Sequence, residues 1–204
     1  YDYVYLGDTK RVPYGNRSHE TVFQFTKEGV DYLFRKENCA IIIIACNTAS
    51  ARALRRIQKE YLPQNFPNRK VLGVLIPTAE EVVSFQKVGV LGTSGTIASN
   101  TFPKEILKAH SMQHVTRNNK MKVFQNPAPM LVPLIEEGEK TLAIEFIKKY
   151  LKPLINKKVN AIILGCTHYP IYKNEIRRIV GDKVKIISQD EIIPRKLKNY
   201  LKRH

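Results

Sequence analysis

Two short segments of this chain share one pattern, in which an apolar, largely β-branched run ends at a cysteine followed by small polar residues. They are Ile41–Ala51 (IIIIACNTASA) and Ala161–Pro170 (AIILGCTHYP). Runs of this length and composition are typical of buried strands, and the residues after each cysteine are suited to beginning a helix. We therefore predict that Cys46 and Cys166 stand at the carboxyl ends of parallel strands, where open α/β sheets bind ligands. Cys39 is interpreted as a structural thiol.

Strand and helix signals alternate along the rest of the chain, which predicts an α/β protein. We expect the Asn47 and Thr48 side chains to cap the helix after Cys46, and Pro63–Arg69 to form a turn. The predicted strands are Tyr3–Leu6, Ala40–Ala45, Val71–Leu75 with its end at Pro77, Val88–Leu91, Met121–Phe124, the second cysteine strand from Ala161, and Val184–Ile187. The predicted helices begin at Ser18, after Cys46, near Glu139, after Pro170 and near Ile192.

The two cysteine segments resemble each other weakly and lie far apart in the chain, which indicates two pseudo-symmetric lobes. We predict an α/β fold with mainly parallel sheets, divided into a first lobe of residues 1–77 plus 188–204 and a second lobe of residues 78–187. Each lobe then carries one of the two cysteines. The active site is expected in the cleft between the lobes, with a thiol on either side.

Composition limits the classes of protein to which the chain can belong. It has 204 residues, of which 43% are hydrophobic, enough to bury a core. No apolar run approaches the roughly 18 residues of a membrane span, and the first ten residues lack a signal-like pattern. Three cysteines make no disulfide framework, and no Cys/His spacing proposes a metal site. We expect a cytoplasmic protein without a bound metal.

The net charge of +16 raises the question of nucleic-acid binding. The basic residues are scattered over predicted helix faces, without an arginine–glycine tract, a zinc knuckle or aromatic residues interleaved with the charges. A solvated basic surface is therefore the preferred interpretation, and a nucleic-acid partner is not expected. A positive field also attracts small anionic substrates.

Two facing thiols are compatible with several kinds of chemistry. An ordinary thiol has a pKa of about 8.5, and hydrogen-bond donors or cations can lower it enough to make a base near neutral pH. If one thiolate removes a proton from a tetrahedral carbon while the other thiol delivers one to the opposite face, the configuration inverts without a cofactor. A disulfide switch, a metal site and a single nucleophile remain as alternatives at this level.

Five segments of the chain resemble the successive signatures of the bacterial glutamate racemase family. They are GDTKRVPYGNRS (7–18), ACNTASA (45–51), GVLGTSGTIASN (89–100), LVPLIEEG (131–138) and LGCTHYP (164–170). The resemblance implies cofactor-independent 1,1-proton transfer between L- and D-glutamate, a homodimer, and a supply of D-glutamate for peptidoglycan. Aspartate and hydantoin racemases share the paired thiols, so an aspartate racemase is one alternative. A catalytically impaired form with a basic binding surface is the other.

The same resemblance assigns roles to individual residues. Cys46 is expected to take the α-proton of the D-isomer and Cys166 that of the L-isomer. His168 is expected to lower the pKa of the Cys166 thiol or to orient it. Glu136 is expected to assist the proton shuttle, with Glu137 as its competitor for that role. The substrate would be held by Tyr14, Gly15, Asn47, Thr48, Thr167 and His168.

Three further expectations concern residues and segments around this site. Asp8 and Arg11 are expected to shape their loop rather than to react. Ser94 and Thr96 are expected either to line the site or to cap a helix. Family members usually begin earlier, with a strand and a DSG-type loop, and continue further at the carboxyl terminus, so we expect the natural protein to be longer or the chain to be a truncated or divergent member.

Overall fold

A computed structural model describes residues 2–113 and 121–203 of the chain; residues 1, 114–120 and 204, which fall within the predicted lobes, lie outside this description. Within the described residues, two parallel sheets form the framework, one of two strands and one of four. The strands are β1 (Ile41–Ile44), β2 (Lys70–Gly73), β3 (Lys87–Gly92), β4 (Lys122–Pro127), β5 (Ala161–Gly165) and β6 (Lys185–Ile187). The α/β class with parallel sheets is confirmed.

Helices connect these strands, and short 3₁₀ turns lie at Thr9–Arg11, Tyr14–Asn16 and Tyr169–Tyr172. The helices are α1 (His19–Arg35), α2 (Asn47–Arg52), α3 (Leu54–Arg56), α4 (Leu62–Asn65), α5 (Leu75–Glu80), α6 (Ser94–Ala98), α7 (Thr101–Met112), α8 (Leu131–Glu136), α9 (Lys140–Asn156), α10 (Lys173–Val180) and α11 (Gln189–Leu201). A π-helical turn at Ile57–Tyr61 joins α3 to α4.

The first sheet pairs β1 with β2 in parallel, from Ile41 opposite Lys70 to Ile44 opposite Gly73. Its core includes Val22 and Phe34 of α1, which follow the predicted helical period. Ser18 caps α1 as predicted, since its hydroxyl accepts a hydrogen bond from the Thr21 N–H at 3.1 Å.

The second sheet has the order β4-β3-β5-β6, with β3 and β5 at its centre. All five residues of β5 are buried, because helices cover both faces of a parallel sheet of this kind. One face packs on α9 through Ile147 and Leu151, and the other packs on α7 through Phe102 and Ile106. The second cysteine strand therefore runs through the centre of the protein, as its apolar sequence predicts.

Two predicted helix boundaries are wrong, and both errors involve a proline. Pro63 lies inside α4 rather than in a turn, and Pro77 lies inside α5, since β2 already ends at Gly73. The first four N–H groups of a helix have no partner within the helix, so a proline in the first turn removes no intrahelical hydrogen bond. Pro77 lies in the first turn of α5, and Pro63 is the second residue of α4, directly after the π-helical turn; neither proline ends a helix at its position.

The predicted strand Tyr3–Leu6 is also wrong, because the segment has no regular structure and pairs with no strand among the described residues. The side chains of Tyr3 and Tyr5 are 84% and 93% exposed. A β-prone sequence forms a strand only where a neighbouring strand supplies hydrogen bonds and a packed face.

Candidate active site

Cys46 lies between the end of β1 and the start of α2, with extended backbone angles of φ −83° and ψ 128°. The residue as a whole is partly exposed. Burial of the sulfur within the site raises the pKa of Cys46, and the N–H groups of Ala49 and Thr48 act in the opposite direction by hydrogen bonding to it. Donors of this kind stabilise a thiolate, so the first turn of α2 favours the ionised form of Cys46.

Cys166 follows β5 directly and is only 6% exposed. Burial raises the pKa of its thiol to about 12, while the N–H groups of His168 and Thr167 lower it. Negative charge on Cys46 raises the pKa of Cys166 further, because the two sulfur atoms are close enough to interact electrostatically. The fold thus brings the two predicted thiols close together, and because both pKa values are raised, both thiols are neutral near pH 7.

The His168 ring links Cys166 to an acidic side chain. Its Nδ1 lies 3.6 Å from the Cys166 sulfur, and its Nε2 lies 2.5 Å from Oε1 of Glu136 at the end of α8. A carboxylate on one ring nitrogen fixes the orientation of the ring and favours a proton on that nitrogen. Of the two adjacent glutamates in LVPLIEEG, the structure places Glu136 on this ring. The side chain of Thr167 is exposed, and its N–H faces the thiol.

The loop before α1 places a tyrosine beside the first thiol. The Tyr14 hydroxyl donates a hydrogen bond to Asp8, which also accepts one from Arg11 Nε at 2.9 Å. Burial opposes ionisation of Asp8, but the hydrogen bonds from Arg11 and Tyr14 outweigh it and hold the pKa of the Asp8 carboxyl below its usual value. Burial, Asp8 and the charge of Cys46 raise the pKa of Tyr14, so its hydroxyl stays protonated.

Gly15 brings this loop against the turn between β3 and α6. A Cβ on Gly15 would lie 2.9 Å from Cβ of Thr93, and a Cβ on Gly95 would lie 2.7 Å from the Gly15 carbonyl oxygen. No larger side chain fits at either position without a shift of the backbone. The loop and the turn are therefore in direct contact.

The Thr48 hydroxyl joins α2 to the same turn. It lies 2.9 Å from Oγ1 of Thr93 and 3.2 Å from Oγ1 of Thr96, and all three residues are buried. Thr48 therefore does not cap α2, contrary to the prediction. Thr93, rather than Ser94 or Thr96, caps α6, because its hydroxyl accepts from the Thr96 N–H.

The Asn47 side chain also does not cap α2. Its Nδ2 donates to Oε1 of Gln189 at 2.7 Å, and its Oδ1 accepts from Nε2 of Gln189 at 2.8 Å. Gln189 was not among the residues predicted for the site. A signal for it was present, because Ser188 and Gln189 are polar residues that directly follow β6, much as Asn47 comes shortly after the end of β1.

Two further findings concern metal binding and membrane crossing. Within 2–113 and 121–203, no three His, Cys, Asp or Glu side chains are grouped so as to hold a metal ion. In the same ranges no helix has the length and apolar character needed to cross a membrane.

Comparisons with known proteins identify the family of this chain. The family model for Asp/Glu/hydantoin racemases matches residues 2–192. The glutamate racemase of Sulfurihydrogenibium sp. is 40% identical over 203 residues, which cover 97% of this chain and 72% of the relative. That of Bacillus cereus is also 40% identical over 203 residues, covering 97% of this chain and 70% of the relative.

Solved structures give the same result. Glutamate racemase RacE1 from Bacillus anthracis superimposes with a TM-score of 0.83 at 32% identity, over 97% of this chain and 70% of that one. The Francisella tularensis glutamate racemase, solved in complex with D-glutamate, gives a TM-score of 0.83 at 33% identity with the same coverage. Since the family match spans nearly the whole chain and these relatives are glutamate racemases, this chain belongs to the Asp/Glu/hydantoin racemase family, within its glutamate racemases, which are isomerases.

Proposed function

We propose that this chain interconverts L- and D-glutamate by proton transfer between two thiols, without a cofactor. Racemisation of glutamate is the activity that the relatives support. The observation that carries the two-thiol mechanism is the placement of Cys46 and Cys166. Each follows a parallel strand and faces two backbone N–H groups, and each lies within electrostatic reach of the other.

The reaction needs one thiolate and one thiol. A bound amino acid brings an ammonium group, and a cation beside a sulfur atom lowers the thiol pKa. Cys46 takes the α-proton of D-glutamate, and the electron pair left on Cα is stabilised by the adjacent carboxylate. Cys166 then gives its proton to the opposite face and becomes the thiolate. L-glutamate reacts in the reverse sense, so the atoms and charges balance in both directions.

The remaining residues bind the substrate or assist the proton transfer. Tyr14, Gly15, Asn47, Thr48, Thr167 and His168 are proposed to hold the two carboxylates and the ammonium group. His168 and Glu136 are proposed to return the Cys166 thiol to its starting protonation state, because the ring contacts both the sulfur and the carboxylate. General acid–base assistance of this kind contributes about 10²- to 10⁴-fold to a rate.

The wider setting follows from the family resemblance. We propose a cytoplasmic homodimer with the two lobes of residues 1–77 plus 188–204 and 78–187, supplying D-glutamate for peptidoglycan. The three cysteines are free thiols, which agrees with a reducing compartment.

The decisive test is racemisation by the Cys46→Ser and Cys166→Ser variants, followed by circular dichroism from each enantiomer. The two enantiomers have equal free energies, so kcat/KM must fall equally in both directions when either thiol is lost. We expect both variants to lose racemisation from L- and from D-glutamate. Normal turnover by either single variant would rule out a two-thiol mechanism.

Substrate choice is tested separately, by NMR measurement of α-proton exchange in D₂O with glutamate and with aspartate. Exchange on glutamate is expected, and faster exchange on aspartate would assign the chain to a different reaction of the same family. A non-catalytic role for the basic surface of this chain, whose net charge is +16, would be favoured by a different result. The chain would exchange neither substrate, and it would bind DNA in a salt-sensitive way that persists in the double cysteine variant.

A further inference from the structure

Gln189 and Asn47 form a reciprocal amide pair in the interior of the protein. Each amide donates one hydrogen bond to the other, at 2.7 Å and 2.8 Å, and the two residues are 5% and 2% exposed. The Gln189 amide has two further acceptors, the Thr78 hydroxyl at 3.2 Å and the Val74 carbonyl at 3.4 Å. Thr78 is fully buried, so no part of this cluster depends on an exposed side chain.

The pair connects parts of the chain that are distant in sequence. Gln189 is the first residue of α11, whereas Asn47 is the first residue of α2 and follows Cys46 directly. Thr78 lies in α5, and Val74 immediately precedes that helix. The first turn of α2 is therefore fixed from outside by α5 and α11.

Burial gives this pair its rigidity. A buried amide that loses its partner bears the full penalty of desolvation, whereas a satisfied network has one preferred arrangement. An amide offers two N–H donors and two acceptor sites on its oxygen. The hydrogen bonds with Gln189 use one N–H and one acceptor site of Asn47. The Asn47 side chain is thereby held in a single orientation, with one N–H and one lone pair left for other partners.

We propose that Gln189 is a positioning residue, which fixes Asn47 and thereby holds the first turn of α2 against the Cys46 sulfur. The N–H groups of Thr48 and Ala49 in that turn stabilise the Cys46 thiolate. Gln189 therefore acts on the reactivity of Cys46 without touching it. The effect of Gln189 on catalysis rests on the proposed function of Cys46. The hydrogen bonds between Gln189 and Asn47 do not depend on that function.

The reactivity of Cys46 toward iodoacetamide tests this role without any substrate, because alkylation follows the thiolate fraction. Cys39→Ser and Cys166→Ser are introduced first, so that Cys46 is the single thiol of the protein. Among the described residues, Tyr14 and Cys166 are the titratable groups that interact with Cys46. Their state is the same in every variant compared, since Tyr14 is retained and Cys166 is absent throughout.

Gln189→Met keeps the length of the side chain and removes both hydrogen bonds to Asn47. We expect the pH profile of alkylation to move to higher pH, with a rate at pH 8 about fivefold lower, comparable to the loss of one hydrogen bond. Thr78→Val, which removes one acceptor of Gln189, is expected to give a smaller shift in the same direction. Gln125→Met is the matched control, because the Gln125 amide bonds to Asn100 instead.

Thermal unfolding identifies which variants are folded, and Thr78→Val replaces Gln189→Met as the deciding variant if the latter does not fold. An unchanged alkylation profile in the folded variant would overturn the proposal, as would an equal shift in Gln125→Met. Racemisation is measured separately, in the protein that keeps all three cysteines; its loss in Gln189→Met with a normal alkylation profile of Cys46 would also overturn the proposal. A shifted alkylation profile, when the parent protein with all three cysteines does not racemise glutamate, would support Gln189 and contradict the proposed function instead.

Discussion

Cys166 shows how a buried thiol makes stability depend on pH. Its pKa is about 12 in the folded protein because of burial, against about 8.5 in an unfolded chain. Above pH 8.5 the unfolded state loses the proton that the folded state keeps, so the free energy of unfolding falls as the pH rises. Between about pH 9 and pH 12 the slope from this thiol approaches ~1.4 kcal/mol per pH unit. Cys166→Ala is expected to make the measured slope shallower by up to that amount in denaturant titrations.

Ile163→Val is a suitable control, because Ile163 is fully buried in β5, the strand that leads to Cys166, and does not titrate. This variant should lower the free energy of unfolding by about 1 kcal/mol at every pH and leave the slope unchanged. A Cys166→Ala slope equal to that of the parent protein would contradict the pKa of the buried thiol.

Glu136 and Glu137 offer a matched test of the contact with His168. Glu136→Gln removes the negative charge beside the His168 ring and is expected to lower kcat/KM for glutamate about fivefold. The effect is modest because the Glu136 side chain is 62% exposed and its charge is screened by water. Glu137→Gln alters a residue that ends α8 through its backbone and should leave kcat/KM unchanged. Equal losses in both variants would indicate a general effect of surface charge.

Among the elements, α1 depends on its amino-terminal cap. The Ser18 hydroxyl satisfies the Thr21 N–H, one of the donors that has no partner within the helix. Ser18→Ala is expected to lower the free energy of unfolding by about 1 kcal/mol, measured by urea titration. Ser111→Ala is the comparison, because the Ser111 hydroxyl donates to Lys108 within α7 and caps no helix start. If Ser18→Ala and Ser111→Ala lower the free energy of unfolding by the same amount, the lost helix cap would not explain the effect of Ser18→Ala.

The elements also show where local patterns suffice. β1 and β5 were predicted from apolar runs whose short length and β-branched residues favour a strand over a helix, and both form at the expected places. Pro63 and Pro77 misled the prediction because proline both ends elements and begins helices. Tyr3–Leu6 has the composition of a strand but lacks a neighbouring strand to pair with among the described residues.

At the scale of the whole molecule, Arg52 connects its own helix to two segments that are distant in the chain, one at Gly95 and one at residues 17–19. Its Nε donates to the Gly95 carbonyl at 3.0 Å, its Nη1 donates to the Arg17 carbonyl at 2.7 Å, and its own carbonyl contacts the His19 ring. Arg52→Met leaves both acceptors without this donor and is expected to lower the free energy of unfolding by about 2 kcal/mol.

Arg195→Met is the corresponding control for the loss of an arginine. Arg195 pairs with Glu81 at 2.9 Å, but its side chain is 59% exposed, so the pair is screened by water. Its loss should change the free energy of unfolding by no more than about 0.5 kcal/mol. If Arg52→Met lowers the free energy of unfolding by no more than this, the hydrogen bonds from Arg52 to the Gly95 and Arg17 carbonyls add little to stability.

The sequence by itself determined the α/β class, the strands that carry Cys46 and Cys166, and the chemistry that two thiols can perform. These follow from the order of apolar and polar residues over a few positions, a pattern that can be read without knowing any long-range contact. The partners of the polar side chains were decided by the tertiary structure alone. Asn47 meets Gln189 at a sequence separation of 142 residues rather than capping its own helix, because both amides are buried and the fold brings the first residue of α11 within hydrogen-bonding distance of Asn47.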